Sequence, residues 1–561
     1  MAKVVKKVTK SLGQLRTQSV GVSAIETSPL RPAYVLKTPP CKNACPNETD
    51  IREILTTISW TEDLNKSYDE SFTRAWEILT EKNPLPSVCG RVCPHPCEGD
   101  CNRGHKDGAV GINSIERFLG DYALEKGFKF KKISEESYPQ KIAVVGSGPA
   151  GLSCAYQLAR RGYSVTVYEA LSKPGGMLRY GIPNYRLPEE ILDKEISRIQ
   201  ELGVEIRCGQ RVGTDLSYDA LQSNYDAIFV AIGAHKGKLL GIPDEDAVNV
   251  FTGTGFLNEV NSGKKVEVGD KVVVIGGGDT AIDAARVSRR LGADVTILYR
   301  RTKNEMPAIP EEIMGAEEEG VKIRFLAAPV EFEKEGNFIK RIKCQEMTLG
   351  EPDQSGRRRP VPVPDSYFYV ETTAVIAAVS QEPDFSGLDF LRESDDWIKV
   401  DDGMSTKIDK TYAGGDALNL GLVTIAIHDG RKAAETIHNR LQNIISQSEQ
   451  KPPVITYDKI ILSYYPSANR NESPKKPPEE RLKGLNIEIT STLTADQVIA
   501  EAKRCMSCGS CFDCGTCWSY CSDQAIVKPV VKHGKYEFKL EFCIGCKKCA
   551  ENCPCGYIDM K

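Results

Sequence analysis

No run of about 18 apolar residues occurs anywhere in the chain, which excludes a membrane-spanning helix. The first residues, MAKVVKKVTKSLGQLRTQ, are basic but lack the apolar core of a secretory signal. With a net charge of -4 there is neither the basic excess that nucleic acid calls for nor the acidic run of a disordered tail. Cysteine is nearly missing from the middle: of 20 cysteines, only Cys154, Cys208 and Cys344 fall between Cys101 and Cys505. The others crowd into two blocks, Cys41 to Cys101 and Cys505 to Cys555. Disulfide scaffolds belong to small secreted domains, and neither description fits a chain of 561 residues without a signal. The close spacings instead suggest metal in a reducing, cytoplasmic compartment.

At about 150 residues per domain the length allows three to four domains. Residues 1–40 read as an extended arm, because Pro29, Pro32, Pro39 and Pro40 resist helix. Residues 41–137 hold the first cysteine block and helical patterns, with Asp50 placed as an N-cap. Residues 138–447 alternate β-branched runs with helical stretches, the α/β pattern of parallel sheets. Residues 448–500 are rich in proline and charge and read as a linker or strap. Residues 501–561 form a small module dense in cysteine.

The α/β region carries two dinucleotide fingerprints. In the first, an apolar strand from Lys141 leads into Gly146, Gly148 and Gly151, with Pro149 and Ala150 opening a helix. Such glycines let the backbone approach a pyrophosphate at the helix start. The following strand ends in Glu169, where a carboxylate binds ribose hydroxyls. In the second, a strand from Lys271 leads into Gly276, Gly277, Gly278, Asp279 and Thr280. Its next strand ends in Arg300 and Arg301 rather than an acid. Guanidinium groups suit a 2′-phosphate, so this site leans towards NADP(H), with NAD(H) left open and a surface ion pair as the arginines' plainer role.

Cys511, Cys514, Cys517 and Cys521 are followed by Cys543, Cys546, Cys549 and Cys553, the spacing of a two-cluster bacterial ferredoxin. The fourth cysteine of each run ligates the other cluster in that pattern. One 4Fe-4S cluster is therefore expected on Cys511, Cys514, Cys517 and Cys553, the other on Cys543, Cys546, Cys549 and Cys521; zinc is the alternative. Cys505, Cys508 and Cys555 are surplus, although Cys505 and Cys508 continue the spacing and allow a shifted ligand set. In the N-terminal block six cysteines suffice for one all-cysteine cluster but not two.

Several motifs together resemble the small subunit of bacterial glutamate synthase. They are Val88-Cys-Gly-Arg-Val-Cys-Pro, Ile115-Glu-Arg, Gly146-Ser-Gly-Pro-Ala-Gly, Gly276-Gly-Gly-Asp-Thr-Ala and Gly414-Gly-Asp. The resemblance covers roughly residues 35–447. It implies two doubly wound Rossmann-type domains, one inserted in the other. They would be an FAD-binding domain of 138–254 and 370–447 and an NAD(P)-binding domain of 255–369. It also implies a helical iron–sulfur domain before them; the ferredoxin-like α+β module follows. Gly415 and Asp416 look like the late flavin motif, with Thr424 at the start of the next helix, and Gly176, Met177, Arg186 and Gly233 join the cofactor-binding set. Cys45, Cys93, Cys97 and Glu116 would hold one N-terminal 4Fe-4S cluster, while Cys41 and Cys101 would belong to a second. The stretch where the family's remaining two ligands should sit is here Tyr34-Val-Leu-Lys-Thr-Pro-Pro, which leaves Cys89 or a non-cysteine group to complete the second cluster, so three to four clusters are expected.

Disulfide reductases of this architecture place a redox cysteine pair beside the flavin. Between Cys154 and Cys208 there is none, so electrons need another exit. The expected activity is electron movement from NAD(P)H through FAD and 4Fe-4S clusters to a redox partner protein, or the reverse, with no side chain assigned a catalytic role. With its appended ferredoxin module, and through Arg31-Pro-Ala-Tyr-Val, Pro39-Pro-Cys-Lys-Asn-Ala-Cys-Pro and Tyr457-Asp-Lys-Ile-Ile-Leu-Ser-Tyr-Tyr, the chain resembles the iron–sulfur flavoprotein of the dissimilatory sulfite reductase system, which implies a partner of that kind and sulfur metabolism. A homodimer is compatible with the sequence. The alternatives are a bifurcating or NAD(P)+-reducing subunit of a complex such as a 2-oxoacid oxidoreductase, and a non-catalytic assembly subunit. The intact Gly146, Glu169, Gly278 and Asp416 speak against the last.

Overall fold

A computed structural model describes residues 27–353, 356–392, 397–445 and 451–561; the first 26 residues of the expected arm lie outside these. Two five-stranded parallel sheets form the α/β region. The first sheet runs Thr411–Ala413, Ala227–Val230, Lys141–Val145, Ser164–Glu169, Glu205–Cys208 in spatial order. Its central strands read as unbroken apolar runs because helices bury both faces. Helices Pro149–Arg160 and Val423–Leu441 touch at Gly430, where a Cβ would lie 2.1 Å from the Ala150 carbonyl oxygen.

The second sheet runs Lys322–Phe325, Asp294–Tyr299, Lys271–Ile275, Ala374–Ala377, Val250–Thr252. Val250–Thr252 and Ala374–Ala377 thus join the nucleotide fold, outside the expected 255–369. Both strands are short and stand at the crossings between two folds of one kind, so nothing local in them says which sheet they enter. A three-stranded antiparallel sheet, Ala327–Glu335, Phe338–Pro352 and Arg358–Glu371, is appended to this fold. Its one buried face packs Phe332, Ile339, Ile342 and Cys344 against Val273 and Leu298.

The N-terminal domain is helical, with Ile51–Ser59, Tyr68–Thr80, Pro86–Val92 and Ile112–Glu125. Ser67 and Glu70 cap the second of these reciprocally. Asp50 stands at the N-cap of Ile51–Ser59 without a capping hydrogen bond and instead pairs with Lys42 and Lys82. The described part of the expected linker is a docked strap. Glu488 accepts from Arg91 and Arg117, each at 2.8 Å, and helix Ala495–Ala502 places Val498 and Ala502 in the core of Ile54, Phe72 and Leu119. Its prolines and charges sit at contacts that composition alone does not reveal. The described part of the arm wraps this same chain: Pro32–Tyr34 pairs antiparallel with Ile558–Met560 of the ferredoxin module. Among the described residues no helix is long and apolar enough to cross a membrane.

Candidate redox centres

A cavity of about 280 Å³ opens at the C-terminal ends of the first sheet. Gly146, Gly148, Pro149, Ala150, Glu169, Gly176, Met177, Gly233, Gly415 and Asp416 all line it, as the sequence led one to expect. Gly146 has φ +102°, and a Cβ on it would meet the Ala231 carbonyl oxygen at 2.3 Å. Gly151 lies behind the wall: its Cβ would fall 1.9 Å from the Gly146 carbonyl oxygen, so it serves helix–strand closeness. Glu169 accepts from the Ser147 amide at 3.0 Å and the Leu171 amide at 2.8 Å, and also from the Ser147 hydroxyl. Asp416 accepts from the Gly421 amide at 3.1 Å, and burial pushes its carboxyl up to about 6. A glycine cradle at a helix start, a ribose-side acid and a second helix start at Val423 fit a bound FAD.

Two residues counted with the flavin stand elsewhere. Arg186 turns to the second fold, where its Nη1 bonds Asp283 at 2.7 Å; Tyr185 donates to the same carboxylate at 3.0 Å. Thr424 lines the neighbouring thiol cavity rather than the flavin cavity. Both corrections have one cause: a residue's place in a motif does not say which way its side chain leaves the backbone.

At the second fingerprint Gly276 has φ +145°, and its Cβ would meet the Ala378 carbonyl oxygen at 2.2 Å. The Tyr299 ring closes on Gly277, Gly278 faces open space to 3.9 Å, and Asp279 accepts from the Ile309 amide at 2.9 Å. Thr280 follows Asp279 in the first turn of helix Asp279–Arg290. The two arginines part company. Arg301 is buried, donating to the Arg358 carbonyl at 2.7 Å and to Asp353 at 2.9 Å, whereas Arg300 is exposed. Asn258, from a helix beside the second sheet, lines the flavin cavity and joins the two sites.

The cysteines gather round four cavities. Cys45, Cys93, Cys97 and Glu116 line one, with Thr424. Cys511, Cys514, Cys517 and Cys553 line a second, and Cys521, Cys543, Cys546 and Cys549 a third, as the ferredoxin spacing requires. Cys41 and Cys101 line a fourth, together with Cys505 and Cys508. Cys89 lines none of them. It is fully buried with its thiol 3.8 Å from Asn83 Oδ1, while Asn83 donates to Glu116 at 2.7 Å. Burial pushes the Glu116 carboxyl up to about 7. Cys555 lies 3.8 Å from Cys553 at the second cavity.

Hydrogen bonding separates two kinds of cysteine. Cys93, Cys543, Cys521 and Cys553 accept backbone N–H bonds at 3.4, 3.4, 3.2 and 3.3 Å, the pattern that stabilises a thiolate. Cys89 and Cys344 instead direct their thiols at oxygen acceptors. Among the described residues no three His, Cys, Asp or Glu side chains close round a single point as one ion demands. Thiols set apart around a void suit the corners of a cubane.

Comparison with known proteins agrees with this geometry. Residues 140–430 match the pyridine nucleotide-disulphide oxidoreductase family, and residues 33–128 match dihydropyrimidine dehydrogenase domain II, 4Fe-4S cluster. The chain is 38% identical over 514 residues to the NADPH-Fe(3+) oxidoreductase subunit beta of Geobacter sulfurreducens, a match spanning 84% of this chain and 75% of that one. It is 37% identical over 509 residues to the NADP(+)-dependent formate dehydrogenase subunit beta of Moorella thermoacetica, spanning 84% and 70%. To the glutamate synthase (NADPH) small chain of Escherichia coli it is 36% identical over 394 residues, spanning 66% and 83%. The chain therefore belongs to the pyridine nucleotide-disulphide oxidoreductase family, as an iron–sulfur flavoprotein akin to the glutamate synthase small chain that uses NAD(P)H, FAD and 4Fe-4S clusters for electron transfer.

Proposed function

We propose that this chain carries electrons between NADPH and a separate redox partner protein in the cytoplasm, leaving the flavin through iron–sulfur centres in place of a cysteine pair. One observation carries the reading. Helix Val423–Leu441 places Leu422, Val423 and Ala426 on the flavin cavity and Thr424 on the cavity of Cys45, Cys93, Cys97 and Glu116. A single helical turn thus forms the wall between the two centres, with the buried Thr424 hydroxyl beside the Cys93 thiol.

When bound, FAD exchanges a hydride with NADPH and single electrons with iron–sulfur clusters. The chain's part is binding, orientation and dryness. Gly146, Gly148 and Gly176 bring backbone to the cofactor, and Met177, Ile182 and Leu388 wall it from water. Arg300 is the group offered to the 2′-phosphate of NADPH, since Arg301 is already paired.

The ferredoxin module is the partner-facing end. Trp518, Tyr520, Leu540 and Phe542 are exposed and flank Cys521 and Cys543 in the sequence. The names of the Geobacter and Moorella relatives describe subunits, which supports a partner here. For this chain the partner is proposed to be of the sulfite reductase type, serving sulfur metabolism. Anaerobic titration with NADPH is expected to bleach the flavin band, and addition of a sulfite reductase to restore it. Absence of bleaching would sink the proposed activity; bleaching without reoxidation would sink only the partner.

A further inference from the structure

We infer that Cys41 and Cys101 from the N-terminal domain, with Cys505 and Cys508 from the stretch before the ferredoxin run, hold a 4Fe-4S cluster that ties the two modules together. The inference rests on the electron-transfer reading above and deepens it, because it supplies the centre between the flavin-side cavity and the ferredoxin pair.

The four thiols line one cavity with Leu55, Ile112 and Arg52. Leu55 and Ile112 also line the cavity of Cys45, Cys93, Cys97 and Glu116, so the two sites share a wall. On the other side Phe512 lines the first ferredoxin cavity and packs with Cys508, Met506 and Tyr465. The site stands between its neighbours in space.

Cys505 and Cys508 are held there by buried charge. Arg103 donates to the Arg504 carbonyl at 2.6 Å, and Arg504 bonds Glu501 at 2.5 Å and the Gly108 carbonyl at 2.7 Å. Arg52 donates to the Cys508 carbonyl at 2.7 Å. The thiols carry the ligand signature seen at the other cavities. Cys505 accepts the Ser507 amide at 3.4 Å, the same two-residue relation as Cys93 with His95 and Cys543 with Gly545. Cys508 accepts from Asn102 Nδ2 at 3.5 Å.

In assembly a preformed 4Fe-4S cubane delivered on carrier thiolates exchanges them one for one: each protein thiol forms an Fe–S bond as a carrier thiolate leaves with its proton, with no change in the cluster's electron count. In turnover it gains and loses one electron.

Native full-length protein, purified anaerobically, is expected to contain about sixteen irons per FAD, at four per cubane, and a Cys505→Ala/Cys508→Ala variant about twelve. Twelve irons in the native protein, or sixteen in the variant, would overturn the inference. Should the double variant not accumulate, Cys508→Ser read by low-temperature electron paramagnetic resonance must change the signal of one reduced cluster, and an unchanged spectrum would overturn it equally. Iron is counted against FAD, so failure here is distinct from failure of NADPH to bleach the native flavin.

Discussion

The two nucleotide folds begin alike and are held together by different means. The helix after the first fingerprint, Pro149–Arg160, buries Ala150, Leu152, Cys154, Ala155 and Leu158 and presses on a second helix through small residues. The helix after the second, Asp279–Arg290, buries charge: Arg286 and Arg290 converge on Glu319, which is fully buried. Asp283 of the same helix takes Arg186 and Tyr185 from the flavin fold. The first helix is held by packing; the second adds an ionic hub to the apolar packing of Ala281, Ile282, Ala285 and Val287. The ionic helix also fixes how the two folds sit against each other, since a buried pair tolerates few alternative partners.

The sharpest test removes the ionic hub. Glu319→Ala strands the buried Arg290 guanidinium, leaves Arg286 with Glu312 alone, and is expected to cost about 3–5 kcal/mol, seen as a lower chemical-denaturation midpoint. If the variant is as stable as the native chain, the contrast between the folds is wrong. Next come the matched glycines. Gly146→Val and Gly276→Val each force a Cβ onto a carbonyl at positive φ, at a cost of about 1–3 kcal/mol from backbone strain alone. The first should be purified without FAD absorbance; the second should keep its FAD and lose bleaching by NADPH. A variant pair losing both properties together would show that the sites are not separable. Smaller again, Arg300→Ala should weaken NADPH about tenfold with little change for NADH, from one charge-assisted contact of about 1.5 kcal/mol. Arg301→Ala should instead lower stability, since it breaks a structural pair. The smallest effect belongs to Ser147→Ala, which removes one hydrogen bond to Glu169 and should loosen FAD by about 1 kcal/mol in equilibrium dialysis.

Much of this was legible in the residues because the signals are local. Glycine spacing after an apolar strand marked both fingerprints, and spacing within 43 residues grouped the ferredoxin cysteines that the structure brings to two cavities. Cys45, Cys93, Cys97 and Glu116 came from family resemblance, and the structure brings them to one cavity. What escaped is what depends on distant contact. Cys505 and Cys508 looked surplus because their companions lie some 400 residues earlier. Arg186, Arg301 and Thr424 were placed by motif, but tertiary packing decides where those side chains go. The antiparallel sheet of residues 327–371 and the strap before the ferredoxin module likewise take their meaning from what they rest on.

Ser28 bonds the Gly545 carbonyl across 517 residues of sequence. At synthesis rates of about 5–20 residues per second, the early strand waits roughly 25–100 s for its partner to leave the ribosome. Throughout that interval Pro32–Tyr34 has no native strand to pair with. The arm therefore reaches its native place only once the ferredoxin module has been made.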